Sequence, residues 1–373
     1  MKKKIILISY RLGYNNLLYW DNLLTSIKKQ HPEFRVFTAT AKLKSKDSSI
    51  ETEQVLKGFK IHYKKTKKEG FLFYLPLPFF IYRITKYRPN LIILNEFNLN
   101  SFFVLLFKFM LPNTKILLLV ESDPFLGRKN KHSKLRNLIR RYIANNADKI
   151  LTNNKLGFDY LTDFLIVKHH KILVAPYLVS EPPSIKFLSK TENKEKIKFL
   201  FVGQIIQRKG LIYVLKAISM LDLADQNKIQ FDIIGTGDEI DVLQQFTKEN
   251  NLFSVNFLGF IEYEKISKYY SDADCFIMNS LHDYRALVGF EALHAGCAII
   301  GSANDGARFE VIHEGKNGFI NEPKNIYDIR DKISLLTNDQ KLLNIFKKYS
   351  KDISVNYSVK KGSDNFLKAI NQL

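Results

Sequence analysis

Short apolar runs recur along this chain, separated by stretches of helical spacing, and this alternation restricts the possible folds more than any other feature. The first half predicts strands at Lys4–Tyr10, Phe34–Thr38, Leu91–Asn95, Ile116–Val120, Lys149–Thr152 and Ile172–Ala175. The second half predicts them at Ile197–Val202, Ile229–Ile234, Val255–Leu258, Cys275–Met278 and Cys297–Gly301. Several are continuously apolar rather than alternating, the pattern of strands covered on both faces. Helical spacing lies between them, as in Leu211–Leu221 and Asp238–Asn250. Strand–helix alternation implies an α/β chain of parallel sheets with helices on both faces.

The polar, Pro-containing stretch Ser180–Lys196 interrupts the pattern once and reads as a linker. A chain of 373 residues exceeds what one core usually holds. We therefore expect two Rossmann-like doubly wound domains, 1–180 and 181–353, facing a central cleft. Open sheets of this kind bind ligands at the carboxyl ends of their strands, so strand-to-helix loops are the places to look for chemistry.

With 46% hydrophobic and 25% charged residues, the chain is neither disordered nor fibrous. Its two cysteines, Cys275 and Cys297, sit in apolar runs, which excludes a disulfide scaffold and a cysteine-based zinc site. The N-terminal apolar stretch is too short for a signal peptide, and no segment offers the ~20 apolar residues of a membrane span. A cytoplasmic location is expected.

The net charge of +20 is uneven. Residues 1–190 hold 34 Lys+Arg against 13 Asp+Glu, or +21; residues 191–373 hold 23 against 24, or −1. Such segregation suggests that the first half faces something anionic: a lipid surface, a nucleic acid or a phosphorylated acceptor. Compositional drift would spread the lysines, and the neutral second half argues against it. Gly70–Arg88 and Ser101–Lys115 are rich in large apolar residues, and Arg128–Arg141 carries seven Lys or Arg and no acid. Large apolar residues beside such cations suit an amphipathic segment in a lipid interface; the alternative is core helices with a solvated basic loop. Nucleic acid is not expected, because the aromatics are not interleaved with the cations and no known motif occurs.

Three motifs in the second half carry candidate chemistry. In Phe199–Gly210 (FLFVGQIIQRKG) a buried strand ends at Gly203, and a loop then presents Arg208 and Lys209 beside a helix start. Two cations there suit a pyrophosphate, or form a solvated basic turn. In Ile233–Asp238 (IIGTGD), Gly235 and Gly237 read as a tight turn with close backbone approach. In Cys275–Glu291 (CFIMNSLHDYRALVGFE) a strand runs into a polar loop, and a helix begins near Ala286–Leu287 with Gly296 as its C-cap. Asp283 falls in that loop and Glu291 in the early helix. The amides of Leu287 and Val288 would face an anion, and Glu291 could accept from sugar hydroxyls. Plain surface acids are the alternative.

Taken in order, Gly203–Lys209–Gly210, Gly235–Gly237, Phe257–Gly259 with Phe260 next, Ser280, Asp283–Glu291–Ala292, Gly296 and Gly318 resemble the donor half of glycosyltransferase family four, in the branch with DYWALVxNEA. The first half matches only through YRLG, at Gly13 and Tyr14, and APYLVS. The resemblance implies the GT-B fold and a retaining transfer of a sugar from a nucleotide sugar to a hydroxyl. It implies a diphosphate held by Lys209 and by the position of Gln204, where the family usually has Arg, with Arg208 a substitute. It also implies a ribose bound by Glu291, a donor sugar met by Asp283 where Glu is usual, and a C-terminal helix, 354–373, that packs back on the first domain. No DxD lies in these loops, so neither a cofactor nor a divalent ion is expected. Glu121–Ser122–Asp123, after a predicted strand, is the candidate for orienting the acceptor hydroxyl. The expected partners are a nucleotide sugar, a lipid-linked or saccharide acceptor, and the anionic inner face of the cell membrane, in polysaccharide synthesis. A sugar-nucleotide epimerase or phosphorylase and a non-catalytic partner subunit are the competing readings.

Overall fold

The computed structural model describes residues 3–9, 17–38, 49–62, 70–76, 79–124, 126, 134–182 and 196–373. The chain divides into two compact units: Met1–Ser122, His132–Leu178 and Val359–Leu373 form one, and Asp123–Lys131 with Val179–Ser358 form the other. These boundaries differ by a few residues from 180 and 353, and local bonding explains why. The amides of Tyr177 and Leu178 bond to the buried Asn153 carboxamide of the first unit, at 2.9 and 3.3 Å. The Ser180 hydroxyl instead bonds within the second unit. Residues 355–357 stay there too, through His294 against the Tyr357 carbonyl and the Phe290–Tyr357 ring contact.

The first unit holds β1 (Ile5–Ile8), β2 (Phe34–Thr38), β3 (Glu51–Gln54), β4 (Leu56–His62), β5 (Gly70–Pro76), β6 (Leu91–Asn95), β7 (Lys115–Val120), β8 (Lys149–Thr152) and β9 (Ile172–Val174). Its parallel sheet runs β3-β2-β1-β6-β7-β8-β9. The residues of Ile5–Ile8 and Leu91–Leu94 are almost wholly buried, as strands covered on both faces must be. The segment Gly70–Arg88 is not one amphipathic stretch. Its first part is β5, paired antiparallel with β4, and the helix Phe80–Tyr87 follows. Phe71, Phe73 and Tyr74 favour the strand, and proline cannot donate to a ladder or continue a helix. Helix Val359–Asn371 packs on Leu17–Gln30, with the Phe366 ring 5.5 Å from Tyr177 and the Lys3 ammonium 3.0 Å from the Ile370 carbonyl.

The second unit holds β10 (Ile197–Val202), β11 (Ile229–Ile234), β12 (Val255–Gly259), β13 (Cys275–Met278), β14 (Ala298–Ser302) and β15 (Gly318–Asn321), all parallel, in the order β12-β11-β10-β13-β14-β15. Phe199, Phe231, Ile277 and Ile300 from the sheet pack with Leu215, Ile218 and Leu343 from helices. Strand order reverses between β10 and β13, which makes their carboxyl ends the topological switch point where such sheets take ligands. Cys275 and Cys297 are buried and not joined in a disulfide. Among the described residues no helix is long and apolar enough to cross a membrane.

Candidate functional site

Close backbone approach builds the floor of the site. The Gly203 amide donates to the Ile234 carbonyl at 3.0 Å, and the Gly235 amide to the Gly259 carbonyl at 2.8 Å. A Cβ at Gly235 would lie 1.8 Å from the Gly203 carbonyl oxygen, and one at Gly237 would lie 2.1 Å from that of Ile205. The GxG pair is therefore what lets the loops after β10 and β11 touch, a structural duty that any side chain would block. Phe260 beyond β12 is exposed, and so is Gln204.

Gln207–Lys209 forms a single tight turn ending at Gly210, whose φ of 66° suits glycine. The turn is fastened to the end of β13: the Leu281 amide donates to the Arg208 carbonyl at 2.7 Å, and the buried Asn279 carboxamide donates to the Gly210 carbonyl at 3.0 Å. This brings both cations onto one carboxylate oxygen. Arg208 Nη1 lies 2.5 Å and Lys209 Nζ 2.7 Å from Asp283 Oδ2. Burial alone would raise the Asp283 carboxyl, but Lys209 and then Arg208 outweigh it and hold it below the ordinary aspartate value.

Helix Val288–Ala295 starts beside this cluster and ends at Gly296 with φ 71°. Its start has no side-chain cap. The Leu287 and Val288 amides make no hydrogen bond among the described residues, and such amides form an anion-binding terminus. The loop from Leu281 to Leu287 is held from outside as well. Arg285 and Glu310 form a buried fork, with Nε to Oε2 at 2.6 Å and Nη2 to Oε1 at 2.8 Å, and the guanidinium stacks 4.2 Å from the Phe290 ring centre.

Glu291, the expected ribose contact, sits in helix Val288–Ala295. It is almost fully buried. Its Oε1 accepts from the Ser180 hydroxyl at 2.6 Å and its Oε2 from the Tyr270 hydroxyl at 2.8 Å, with the Tyr263 hydroxyl 3.4 Å from Oε1. Burial pushes its carboxyl above the ordinary glutamate value, the hydroxyl bonds opposing.

Arg208, Lys209 and Asp283 thus meet past the ends of β10 and β13, and the Leu287–Val288 amides follow on the same loop as Asp283. Glu121 belongs to the first unit, at the carboxyl end of β7, with its amide 2.8 Å from the Glu96 carboxylate; half-buried Asp123 falls in the second unit. Gly13 and Tyr14 lie outside the described residues, as do residues 128–133 of the basic stretch. Sequence reasoning missed the Arg285–Glu310 fork and Asp305. The latter is a wholly buried acid whose backbone pairs with Asp283, and its one signal was an acid just past a predicted strand. Among the described residues no cluster of three or more His, Cys, Asp or Glu could hold a metal ion.

Residues 185–353 match the family described as Glycosyl transferases group 1. The chain is 32% identical over 202 residues to a Klebsiella pneumoniae protein described as an uncharacterized 41.2 kDa protein in the cps region, covering 52% of this chain and 53% of that one. It is 30% identical over 153 residues to the 2-deoxystreptamine N-acetyl-D-glucosaminyltransferase of Niallia circulans, covering 40% and 39%. The chain thus spans about half or less of the length of these curated relatives. Among solved structures it is similar to HepE from Anabaena in complex with UDP, with a TM-score of 0.77 at 13% identity, over 99% of this chain and 100% of that one. The fold is that of the GT-B glycosyltransferases.

Proposed function

We propose a function from the premise that residues 185–353 belong to the glycosyl transferases group 1 family: the chain moves a sugar, with retention, from a nucleoside diphosphate sugar to a hydroxyl of a saccharide or lipid-linked acceptor in bacterial surface polysaccharide synthesis. The observation that carries this reading is the convergence of Arg208 and Lys209 on one carboxylate oxygen at the switch of the sheet, on the loop that leads into a helix start with two open amides. A diphosphate leaves well when fixed donors meet its developing charge. Two cations and a helix start supply that from the chain's own residues, so transfer is expected to proceed in a chelator. The cluster of Arg208, Lys209 and Asp283 carries +1 before donor arrives, and the Asp283 carboxylate stands ready beside a sugar ring that gains positive charge as its bond breaks.

A panel of nucleotide sugars tested by thermal shift checks this. The true donor at 100-fold its dissociation constant should stabilise the protein by ~2.7 kcal/mol, and Asp283→Asn should lower turnover more than nucleoside diphosphate affinity. Release of free sugar at full rate without acceptor would indicate the epimerase-type reading. A protein that binds none of the panel would indicate a partner subunit.

The basic first unit points to an anionic membrane surface. Helix Lys134–Asn146 shows exposed Leu135 and Leu138 among Arg136, Arg140 and Arg141, and Phe79 and Phe109 stand three-quarters exposed elsewhere on the unit. Each Lys or Arg near such a surface contributes ~1 kcal/mol. The protein should pellet with anionic vesicles and be released by salt, and Arg136→Glu with Arg140→Glu and Arg141→Glu should weaken this sharply. Equal pelleting of the two proteins would make the basic stretch a solvated surface.

A further inference from the structure

Asp305 lies just past the carboxyl end of β14 and is wholly buried. Its backbone neighbourhood is joined to Asp283: the Asp283 amide donates to the Asn304 carbonyl at 3.0 Å, and the Gly306 amide to the Asp283 carbonyl at 3.1 Å. Its side chain extends the junction. Oδ1 accepts from the Ala286 amide at 3.1 Å and from the Ala307 amide at 2.9 Å. Ala286 directly precedes the two open amides, and Ala307 directly precedes the short helix Arg308–Val311 that carries Glu310. One carboxyl therefore ties together the two loops that flank the helix start. Oδ2 is buried with no hydrogen-bond partner among the described residues, and a buried carboxylate without a cation against it is costly. An asparagine would keep the Oδ1 acceptor without that charge, so fastening alone does not explain an acid here.

The charged groups that face Asp305 are Asp283 and Lys209, with Arg308 on its own loop. Burial and then Asp283 push its carboxyl up to about 6, with the Ala307 amide, Lys209 and the Ala286 amide opposing. When ionised, it brings the sum over Arg208, Lys209, Asp283 and Asp305 to zero; when protonated, it leaves the sum at +1.

We propose that Asp305 is the positioning residue of the donor site, fixing the Leu287 and Val288 amides through Ala286 and setting by its own protonation the charge that an arriving diphosphate meets. This rests on the glycosyltransferase reading above. A diphosphate favours the +1 state, so donor binding should draw a proton onto Asp305 and strengthen as pH falls through about 6.

The test is titration calorimetry of the full chain with UDP-glucose, UDP-N-acetylglucosamine and GDP-mannose, whose diphosphate diesters do not titrate in this range. The tightest binder is then taken to pH 7.5 and 5.5. Asp305→Asn should bind it several-fold more tightly than the wild type at pH 7.5, and the gap should close at pH 5.5. Asp305→Ala, which also removes the charge but strands two buried amides, should bind roughly tenfold more weakly than the asparagine variant at both pH values. Should the alanine variant fail to fold, the pH profile of the asparagine variant decides alone. Wild-type affinity and pH dependence in the asparagine variant would overturn the proposal, as would an asparagine variant as weak as the alanine one. A wild type that binds none of the three would overturn the donor-site reading and this inference with it.

Discussion

Lys209→Ala is expected to lower kcat/KM by roughly ten- to a hundredfold while leaving the fold intact. Its ammonium is largely buried, 2.7 Å from Asp283 Oδ2, and a charge-assisted contact of this kind is worth about 1.5–3 kcal/mol. The loss falls in two places. The diphosphate forfeits a fixed cation, and Asp283 loses the strongest of the charges that hold its carboxyl down. Asp283 should then protonate at higher pH, so the acid limb of the rate profile moves upward. The sign of the stability effect follows. The lowered carboxyl adds stability above the unfolded aspartate value and loses it as pH falls through the folded one, and the variant should lose less of it than the wild type. Arg208→Ala should act in the same direction but less strongly, because Arg208 is about one-third exposed and better screened. Steady-state kinetics with the true donor from pH 5 to 9 gives both quantities. Near-normal turnover in the Lys209 variant would remove this residue from the diphosphate contact.

Glu310→Ala should strongly destabilise the second unit. The Arg285–Glu310 side chains are only 1% and 5% exposed, so truncating the carboxylate leaves a guanidinium buried without a counter-charge. Breaking such a pair costs about 3–5 kcal/mol, which for a unit of this size is on the order of 10 °C in Tm. Replacing both residues, Arg285→Met with Glu310→Leu, removes the uncompensated charge and should recover most of the loss. Thermal unfolding of the single and double variants distinguishes a buried pair from a surface one, for which the single change would cost less than ~1 kcal/mol. The double variant also frees the loop that carries Asp283, so its recovered Tm should come with reduced turnover.

Much of the architecture was legible along the chain because it is encoded locally. Strands buried on both faces must be largely apolar, so β1, β6, β10 and β14 showed as apolar runs with at most one or two other residues, each within a residue or two of its observed bounds. The GxG turn was legible for the same reason, since only glycine tolerates a carbonyl within 1.8 Å of where a Cβ would stand. β3, β4, β5 and β15 did not show. They are edge or hairpin strands with one hydrogen-bonded neighbour each, and their pattern is weak.

What the chain by itself determined, then, is the class of fold, the split into two units and the loops that carry the cations and Asp283, all of which depend on residues near one another in sequence. Only the tertiary structure decided which groups meet. β10, β13 and β14 are neighbours in the sheet but are separated along the chain by crossovers, and that order places Asp305 beside Asp283 and clamps Arg285 to Glu310. It also brings the Ser180 hydroxyl, 111 residues away, onto the Glu291 carboxylate. Burial then sets the charge of each acid: Asp283 is held low by two cations, while Glu291 and Asp305 are pushed up because desolvation outweighs the hydrogen bonds they accept.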